Sequence, residues 1–559
     1  MLGPVCTVRV MALSPLLMLS MPAPATPPPE LVIHGARIYT MDAARPHAEA
    51  VAIAGGRFGA VGSTERVLAL AGAATRRIDA AGATIVPGLQ DAHGHVLGLG
   101  EALEQLDLRG TRSLDEVVAR VRERAAGTPP GEWILGRGWD QNDWPGQAWP
   151  TAAALDAVSP DHPVALTRVD GHALVANGSA LAAAGISAGT ADPPGGRIVR
   201  DDGGAAIGVL VDTAQSLVLR QVPAPTRDTI ARRIQLADRT LLELGVTMVH
   251  DAGVSPGVVE ILRQLAADGR VRTRLHVMLS GASAGGWYAQ GPLVDPSHRV
   301  SVRAVKLMAD GALGSRGAAL LDDYVDDPGN RGLLLLDTEQ LHAATRAAAE
   351  AGFQVATHAI GDRANRIVLD VFDRVQRDVP GSRALRFRVE HAQVLAPADI
   401  PRFARLGVIA SVQATHCPSD MPWAGARLGP ERIEGAYAWR SLLDAGARLA
   451  NGSDVPVEPA NPLLGFYAAI TRQDAAGHPE GGWAPAQRLT RDEALRSLTI
   501  EAAYAAHAEG ALGSISEGKL ADLVVLSRDI MTVEPAAVLE TEVLRTLIAG
   551  ETVYERAQP

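Results

Sequence analysis

Pro87-Gly-Leu-Gln-Asp-Ala-His-Gly-His95 is the stretch on which the reading of this chain turns. It continues Thr84-Ile-Val and reads as a strand running into two histidines. Side chains two apart on a strand point the same way, so His93 and His95 aim at one point past its C-terminal end. Two imidazoles aimed together suit a divalent transition metal. A lone His-x-His is weak evidence, because most histidines are structural or exposed. The weight must come from what else ends strands.

Downstream, strand and helix patterns alternate regularly. Strands are expected at 247–250, 273–279, 302–308, 353–358, 387–391, 408–413 and 448–451. Helices are expected at 227–244, 258–268, 338–350, from 363, at 399–406, at 439–444 and within 491–507. With the first strand this makes eight βα units, which implies a parallel sheet closed into a (β/α)8 TIM-like barrel. Residues 164–169 are a further strand candidate for the barrel. An open doubly wound sheet is the alternative, but no Gly-rich fingerprint joins a strand to a helix. Between the first and second units, 113–125 reads as a helix, with Ser113 and Glu116 fitting a capping box. An irregular Trp/Pro/Gly-rich stretch, about 131–225, reads as an insertion after the first barrel strand.

Both ends are strand-rich. Residues 30–86 hold short apolar runs around Gly55-Gly56, a hairpin turn signal. Residues 510–559 behave alike, with Gly510-Ala-Leu-Gly-Ser-Ile, Ala521-Asp-Leu-Val-Val-Leu and a run from Val543. Neither end is long enough to bury a sheet face alone. The expected organisation is a small β-sandwich domain built from both termini, residues 30–86 and 510–559, flanking a hydrolase barrel at 87–509.

Three more strands end in chemistry-bearing residues. Val355-Ala-Thr-His358, Arg388-Val-Glu-His391 and Ala450-Asn-Gly-Ser-Asp454 each carry one at or just past the last position. Lys306 lies within Val302-Arg-Ala-Val-Lys-Leu-Met, and a lysine in an apolar strand is costly to bury unless paired or modified. His93, His95, Lys306, His358, His391 and Asp454 therefore converge on one rim, which in a barrel is the active-site mouth. Such convergence of titratable residues favours a metal centre over six structural coincidences.

At this point the chain resembles the amidohydrolase superfamily, and closely its branch called amidohydrolase family 3, which includes N-substituted formamide deformylases. The resemblance rests on the segments above together with Gly136-Arg-Gly-Trp-Asp-Gln-Asn, Arg168-Val-Asp-Gly-His-Ala, Lys306-Leu-Met-Ala-Asp-Gly-Ala-Leu-Gly-Ser-Arg316, His358-Ala-Ile-Gly-Asp362, Gly452-Ser-Asp-Val-Pro-Val and Gly513-Ser-Ile-Ser-Glu-Gly-Lys-Leu-Ala-Asp-Leu-Val-Val-Leu. It implies a site for two divalent metal ions, zinc being expected. His93, His95 and Asp454 would hold the more buried ion, and His358 and His391 the other. It further implies that Lys306 is carboxylated by carbon dioxide, the carbamate bridging the two. His250 and Asp251 also end a strand and compete for this rim. Metal binding lowers the pKa of a water and gives hydroxide near neutrality. Asp454, itself a ligand with a second oxygen free, is then the general base and acid, the only catalytic side chain expected. The reaction implied is hydrolysis of an amide-type C–N bond, such as that of an N-acyl or N-formyl amine. A cyclic-amide hydrolase, a deaminase and a barrel that binds metal or ligand without turnover are the alternatives.

Weaker site candidates surround the six. Asp310 and Arg316 follow Lys306 on a loop and suit substrate contact or a loop salt bridge. Trp139, with Asp140 and Trp144, and Arg168 and His172 lie in the insertion; they suit a cap over the mouth or the insertion's own core. His416 follows a strand end and is a substrate-binding candidate, whereas its neighbour Cys417 reads as a passive thiol. Asp362 reads as a supporting or helix-capping residue.

Composition bounds the rest. The 559 residues are 47% apolar, enough for a barrel plus smaller units. Net charge is −11 without a basic run, which argues against nucleic acid; a small-molecule substrate is what the resemblance implies. A homodimer is compatible with this composition. Cys6 and Cys417 are the two cysteines, so no disulfide framework is expected. Arg9, an apolar run at 10–21 and Ala23-Pro-Ala fit a signal peptide at 1–25, and hence export to a periplasm or medium. The run is too short to span a membrane, and Cys6 precedes it, which does not fit a lipoprotein anchor. A start at Met11 in a cytoplasmic protein is the alternative.

Overall fold

The computed structural model describes residues 1, 3, 5, 27–168, 171, 173–194 and 196–557. Apart from residues 1, 3 and 5, the stretch expected to be a signal peptide lies outside them, as do Cys6 and His172. No helix of the described residues is long and apolar enough to cross a membrane.

At the centre is an eight-stranded, all-parallel sheet. Its strands are β1 (Leu89–Gly94), β2 (Val246–Val254), β3 (Arg274–Ser280), β4 (Val300–Met308), β5 (Gln354–Ala359), β6 (Arg388–His391), β7 (Ile409–Gln413) and β8 (Arg448–Gly452). All eight expected units are present, in chain order around the sheet. They are buried almost throughout, as parallel strands covered on both faces must be. Ala252, Met278, Ala304 and Ala356 form one apolar layer on neighbouring strands. Outside, helices such as Arg227–Glu243, Pro256–Ala267 and Asp362–Asp378 pack their apolar stripes on the strands. β1 and β8 share no ladder, yet the ring nearly closes: the Asp454 amide donates to the His93 carbonyl at 2.7 Å.

The ends of the chain meet. Leu523–Leu526 pairs antiparallel with Thr84–Pro87, placing N- and C-terminal strands in one six-stranded sheet. A four-stranded sheet of N-terminal strands packs on it, and Leu31, Ile33, Val51 and Phe58 share a core with Ile38, Ile85, Leu523 and Leu547. Gly55 and Gly56 turn the hairpin between Ala50–Ala54 and Arg57–Gly62, both with positive φ (56° and 72°). Residues 510–515, expected to be strand-like, contain no strand.

The stretch after β1 differs most from the sequence reading. It is a unit of its own, with a six-stranded sheet from Leu106–Asp107 to Ala206–Asp212. The 164–169 candidate belongs here, as Val164–Arg168, and not to the barrel. The helix Leu114–Ala126 belongs here too, since Val117 and Val121 pack with Leu108, Ile134 and Trp139. The unit therefore begins before residue 131. Ser113 caps that helix by accepting from the Glu116 amide at 3.2 Å, while Glu116 reaches back to the Arg112 amide at 2.9 Å instead of closing the box on Ser113.

Candidate metal centre

Four of the six rim residues lie at or within one residue of a strand's C-terminal end; Lys306 precedes the end of β4 by two, and Asp454 follows β8 by two. All six line one cavity of about 580 Å³. Asp454 stands at its centre. Its Oδ1 is 3.1 Å from His95 Nε2 and 3.5 Å from His93 Nε2, and its Oδ2 is 3.4 Å from His416 Nε2. Among the described residues, two sets of atoms are close enough to hold an ion, His93/His95/Asp454 and His391/His416/Asp454. The first is the expected set. The second brings in His416, a substrate-binding candidate in the sequence, where His358 was expected.

His358 lines the same cavity with its ring centroid 4.5 Å from that of His391. Its Nε2 lies 3.4 Å from Asp310 Oδ1 and, like His416 Nε2, is buried without a hydrogen bond among the described residues. Buried ring nitrogens of this kind are costly unless something else meets them. This is the observation that fits a metal, together with a donor set of imidazoles around one carboxylate.

The backbone at this rim is bent to the task. His391 and Asp454 both sit at positive φ (75° and 61°), an unfavourable region for a side-chain-bearing residue. Gly452 is required two positions earlier. A Cβ there would lie 2.3 Å from the His93 amide nitrogen and 2.7 Å from Asp91 Oδ1. Asp91 accepts from the amides of His93 and Ser453 and from the Ser453 hydroxyl, so it ties the ends of β1 and β8 together.

Beneath the rim the ligands are held by buried partners. His93 Nδ1 meets Glu390 Oε2 at 2.5 Å, which directs Nε2 toward Asp454 and Lys306 Nζ, the latter at 3.0 Å. Glu390 pairs with Arg388 at 2.8 Å, both being fully enclosed. Arg388 also donates to the Ala92 carbonyl and Ser411 Oγ and contacts His250 Nδ1 at 2.8 Å. His95 Nδ1 is fixed by the Ala252 carbonyl and His391 Nδ1 by Gln413. Such partners set the tautomer and orientation of a ligand histidine.

The charges follow. Burial and the nearby Lys306 cation push His93 down to about 4, leaving it neutral as a ligand must be. Burial likewise lowers His391 and the Lys306 amine. Burial opposes ionisation of Asp454, but the imidazoles of His416 and His95 outweigh it and hold the carboxyl well below its usual range.

The weaker candidates separate clearly. Asp310 is fully buried, and its carboxylate accepts from the amides of Ala319, Ile360 and Gly361; it shapes the loop and does not line the cavity. Arg316 pairs with Asp326 across its own loop. Trp139 is core of the inserted unit, donating to the Leu166 carbonyl and packing near Trp144 and Trp149. Arg168 is tied to Asp140 and Gln141 away from the cavity lining. In these four, each polar atom named is already used by protein. His250 and Asp251 do not intrude: His250 points down to Arg388, and Asp251 accepts from the Val96 amide. Asp362 opens its helix and accepts from the Leu321 amide. Cys417 is buried, its thiol pushed up to about 12 by burial. Glu390 and Asp91 were passed over in the sequence although both stand inside the quoted motifs. A charged residue in a strand interior was the available signal.

Residues 76–554 match the family model described as Amidohydrolase family. The chain belongs to the amidohydrolase family. Among relatives of this amidohydrolase, a putative amidohydrolase YtcJ of Bacillus subtilis (strain 168) is 36% identical, with 94% of this chain and 99% of the relative covered. An N-substituted formamide deformylase of Arthrobacter pascens is 30% identical over 94% of this chain and 98% of its own length. A crystal structure of an uncharacterized metal-dependent hydrolase from Pyrococcus furiosus superposes with a TM-score of 0.76 at 28% identity, covering 90% of this chain and all of that one (100%). Family membership and the two ligand sets at the barrel mouth make this amidohydrolase a metal-dependent hydrolase.

Proposed function

We propose that this amidohydrolase cleaves an amide-type C–N bond, that of an N-acyl or N-formyl amine, with Asp454 moving the proton. The observation that carries the reading is the convergence of His93, His95, His391 and His416 on the single carboxylate of Asp454. Its likeness to the Arthrobacter pascens N-substituted formamide deformylase supports the choice of bond.

His93, His95 and Asp454 would hold one divalent ion, with zinc the expected metal, and His391, His416 and Asp454 a second. Bound metal polarises a carbonyl and acidifies water. The protein's own residues do the rest. Asp454, ionised at neutral pH, takes a proton from the attacking water and delivers it to the leaving nitrogen, so that the amine departs neutral. Glu390 fixes the His93 ring, and Gln413 the His391 ring. Lys306, its amine lowered by burial and 3.0 Å from His93 Nε2, is the residue we propose to be carboxylated, which would replace a buried cation by an anionic oxygen ligand. The two terminal sheets are read as one sandwich on the strength of their common core.

The test is a hydrolysis screen of N-formyl and N-acyl amines against ester and aryl-chloride controls, using zinc-loaded protein and the same protein after chelation. Release of amine that chelation abolishes and zinc restores is expected. Turnover of the controls alone would remove the C–N reading.

A further inference from the structure

Part of the cavity wall is the helical segment His416–Arg432, which is kinked at Gly429. His416, Asp420 and Trp423 lie at i, i+4 and i+7 on it, and all three line the cavity. His416 reaches the metal centre through Asp454. Trp423, farther along, is the shelf against which the Gly314 loop closes, since a Cβ on Gly314 would lie 3.3 Å from the indole ring. Leu313, Met308 and Val457 complete an apolar outer cavity. Asp420 stands between the reacting end and this shelf.

Asp420 is built in. Its Oδ2 accepts from the Tyr437 hydroxyl at 2.5 Å and from Gln393 Nε2 at 3.0 Å. Two neutral donors hold the carboxylate in place without neutralising it. Its Oδ1 makes no hydrogen bond to the described residues. Burial pushes its pKa up, while Tyr437 and the neighbouring His416 oppose that. Among the described residues, Lys306 is the one lysine or arginine that lines the cavity, and its Nζ is already 3.0 Å from His93 Nε2. The Arg427 guanidinium, 5.7 Å from the Trp423 ring, is already paired with Asp326, so a substrate carboxylate in this part of the cavity would face Asp420.

We infer that Asp420 is a specificity-determining residue. It selects substrates that carry a hydrogen-bond donor, an amine or hydroxyl, between the scissile bond and a flat apolar group lying on Trp423, and it rejects those with a carboxylate there. This rests on the C–N reading for the reacting bond but not for the recognition. A hydrogen bond to a charged acceptor changes affinity by about 10–100-fold, and a like charge in the same place works in the opposite sense.

The probes are three N-formylphenethylamines bearing hydrogen, an amino group or a carboxylate on the carbon that carries the ring. Their three methanesulfonamide analogues, with no carbonyl to attack, report binding by calorimetry. For wild type, the amino compound should exceed the carboxylate compound at least tenfold in kcat/KM, and its sulfonamide should bind more tightly by a similar factor. Asp420→Asn should bring both ratios down about tenfold or more. Trp423→Ala should weaken all three sulfonamides together, leaving the ratio in place. Wild-type ratios near one would overturn the inference, and so would an Asp420→Asn protein that keeps them. If Asp420→Asn does not fold, the wild-type ratio alone decides. If no formamide is hydrolysed but the sulfonamide ratio and its loss are both seen, the recognition stands and the C–N reading fails.

Discussion

Replacing Glu390 by glutamine tests how the buried charges beneath the metal centre work. The side chain keeps its shape but loses its charge and one of its two acceptor oxygens. In the native protein those oxygens meet His93 Nδ1 at 2.5 Å and Arg388 at 2.8 Å, with no solvent exposure on either side of the Arg388 pair. Both partners are donors, so the new amide NH2 must face one of them whichever way it turns. Arg388 keeps the Ala92 carbonyl and Ser411 Oγ but has lost its counter-charge. Removing one member of a buried ion pair costs about 3–5 kcal/mol. At roughly 2 °C per kcal/mol for a large domain, the unfolding midpoint should fall by about 6–10 °C. His93 loses its orienting acceptor as well, and loss of such a partner typically weakens metal binding by about 10–100-fold. Thermal unfolding of chelated protein and zinc titration against a competing chelator measure the two effects separately. Adding Arg388→Met should recover some of the stability, because the uncompensated cation is gone, but none of the zinc affinity. A single Glu390→Gln protein with native midpoint and zinc affinity within threefold of wild type would refute the reasoning.

Asp454→Asn keeps one coordinating oxygen but cannot take a proton at neutral pH; metal content should largely persist while turnover falls by about 10²–10⁴, and near-normal turnover with metal bound would remove Asp454 as the base. Gly452→Ala should weaken zinc binding and activity together, because its methyl group must displace the His93 backbone or Asp91; a variant with unchanged metal content would show that the rim can relax. Truncation after residue 509 removes Leu523–Leu526, which lies between Thr84–Pro87 and Val543–Ile548 in the sheet, so aggregation or loss of soluble protein is expected, and a soluble, active fragment would contradict it. Export is tested by mass spectrometry of protein from its native cell envelope, with an N-terminus near Thr26 expected; Met1 or Met11 retained in cytosolic protein would sink the signal-peptide reading.

The barrel and its six rim residues were legible in the sequence because they rest on local regularities. A parallel strand buried on both faces is a short apolar run, a helix on its outside has a 3.6-residue period, and a residue at the end of such a run must stand at the mouth. The inserted unit was misjudged because its strands are short, partly exposed and paired in mixed directions, which leaves no single period to read. Trp139, Arg168, Asp310 and Arg316 bear residue types that suit a substrate equally well in the linear chain. Only the fold shows that the Leu166 carbonyl, Asp140, three loop amides and Asp326 already occupy them. The same holds for the centre itself. That His93, His95, His358, His391 and Asp454 stand at one mouth was written in the strand ends. That His416 stands beside His391 and Asp454, and that Glu390 and Arg388 pair beneath His93, depends on strands and a helix far apart in the chain being brought within a few ångströms. Hydrogen bonds and ion pairs act only at that range, so the choice among chemically equivalent side chains is made by tertiary structure and not by sequence.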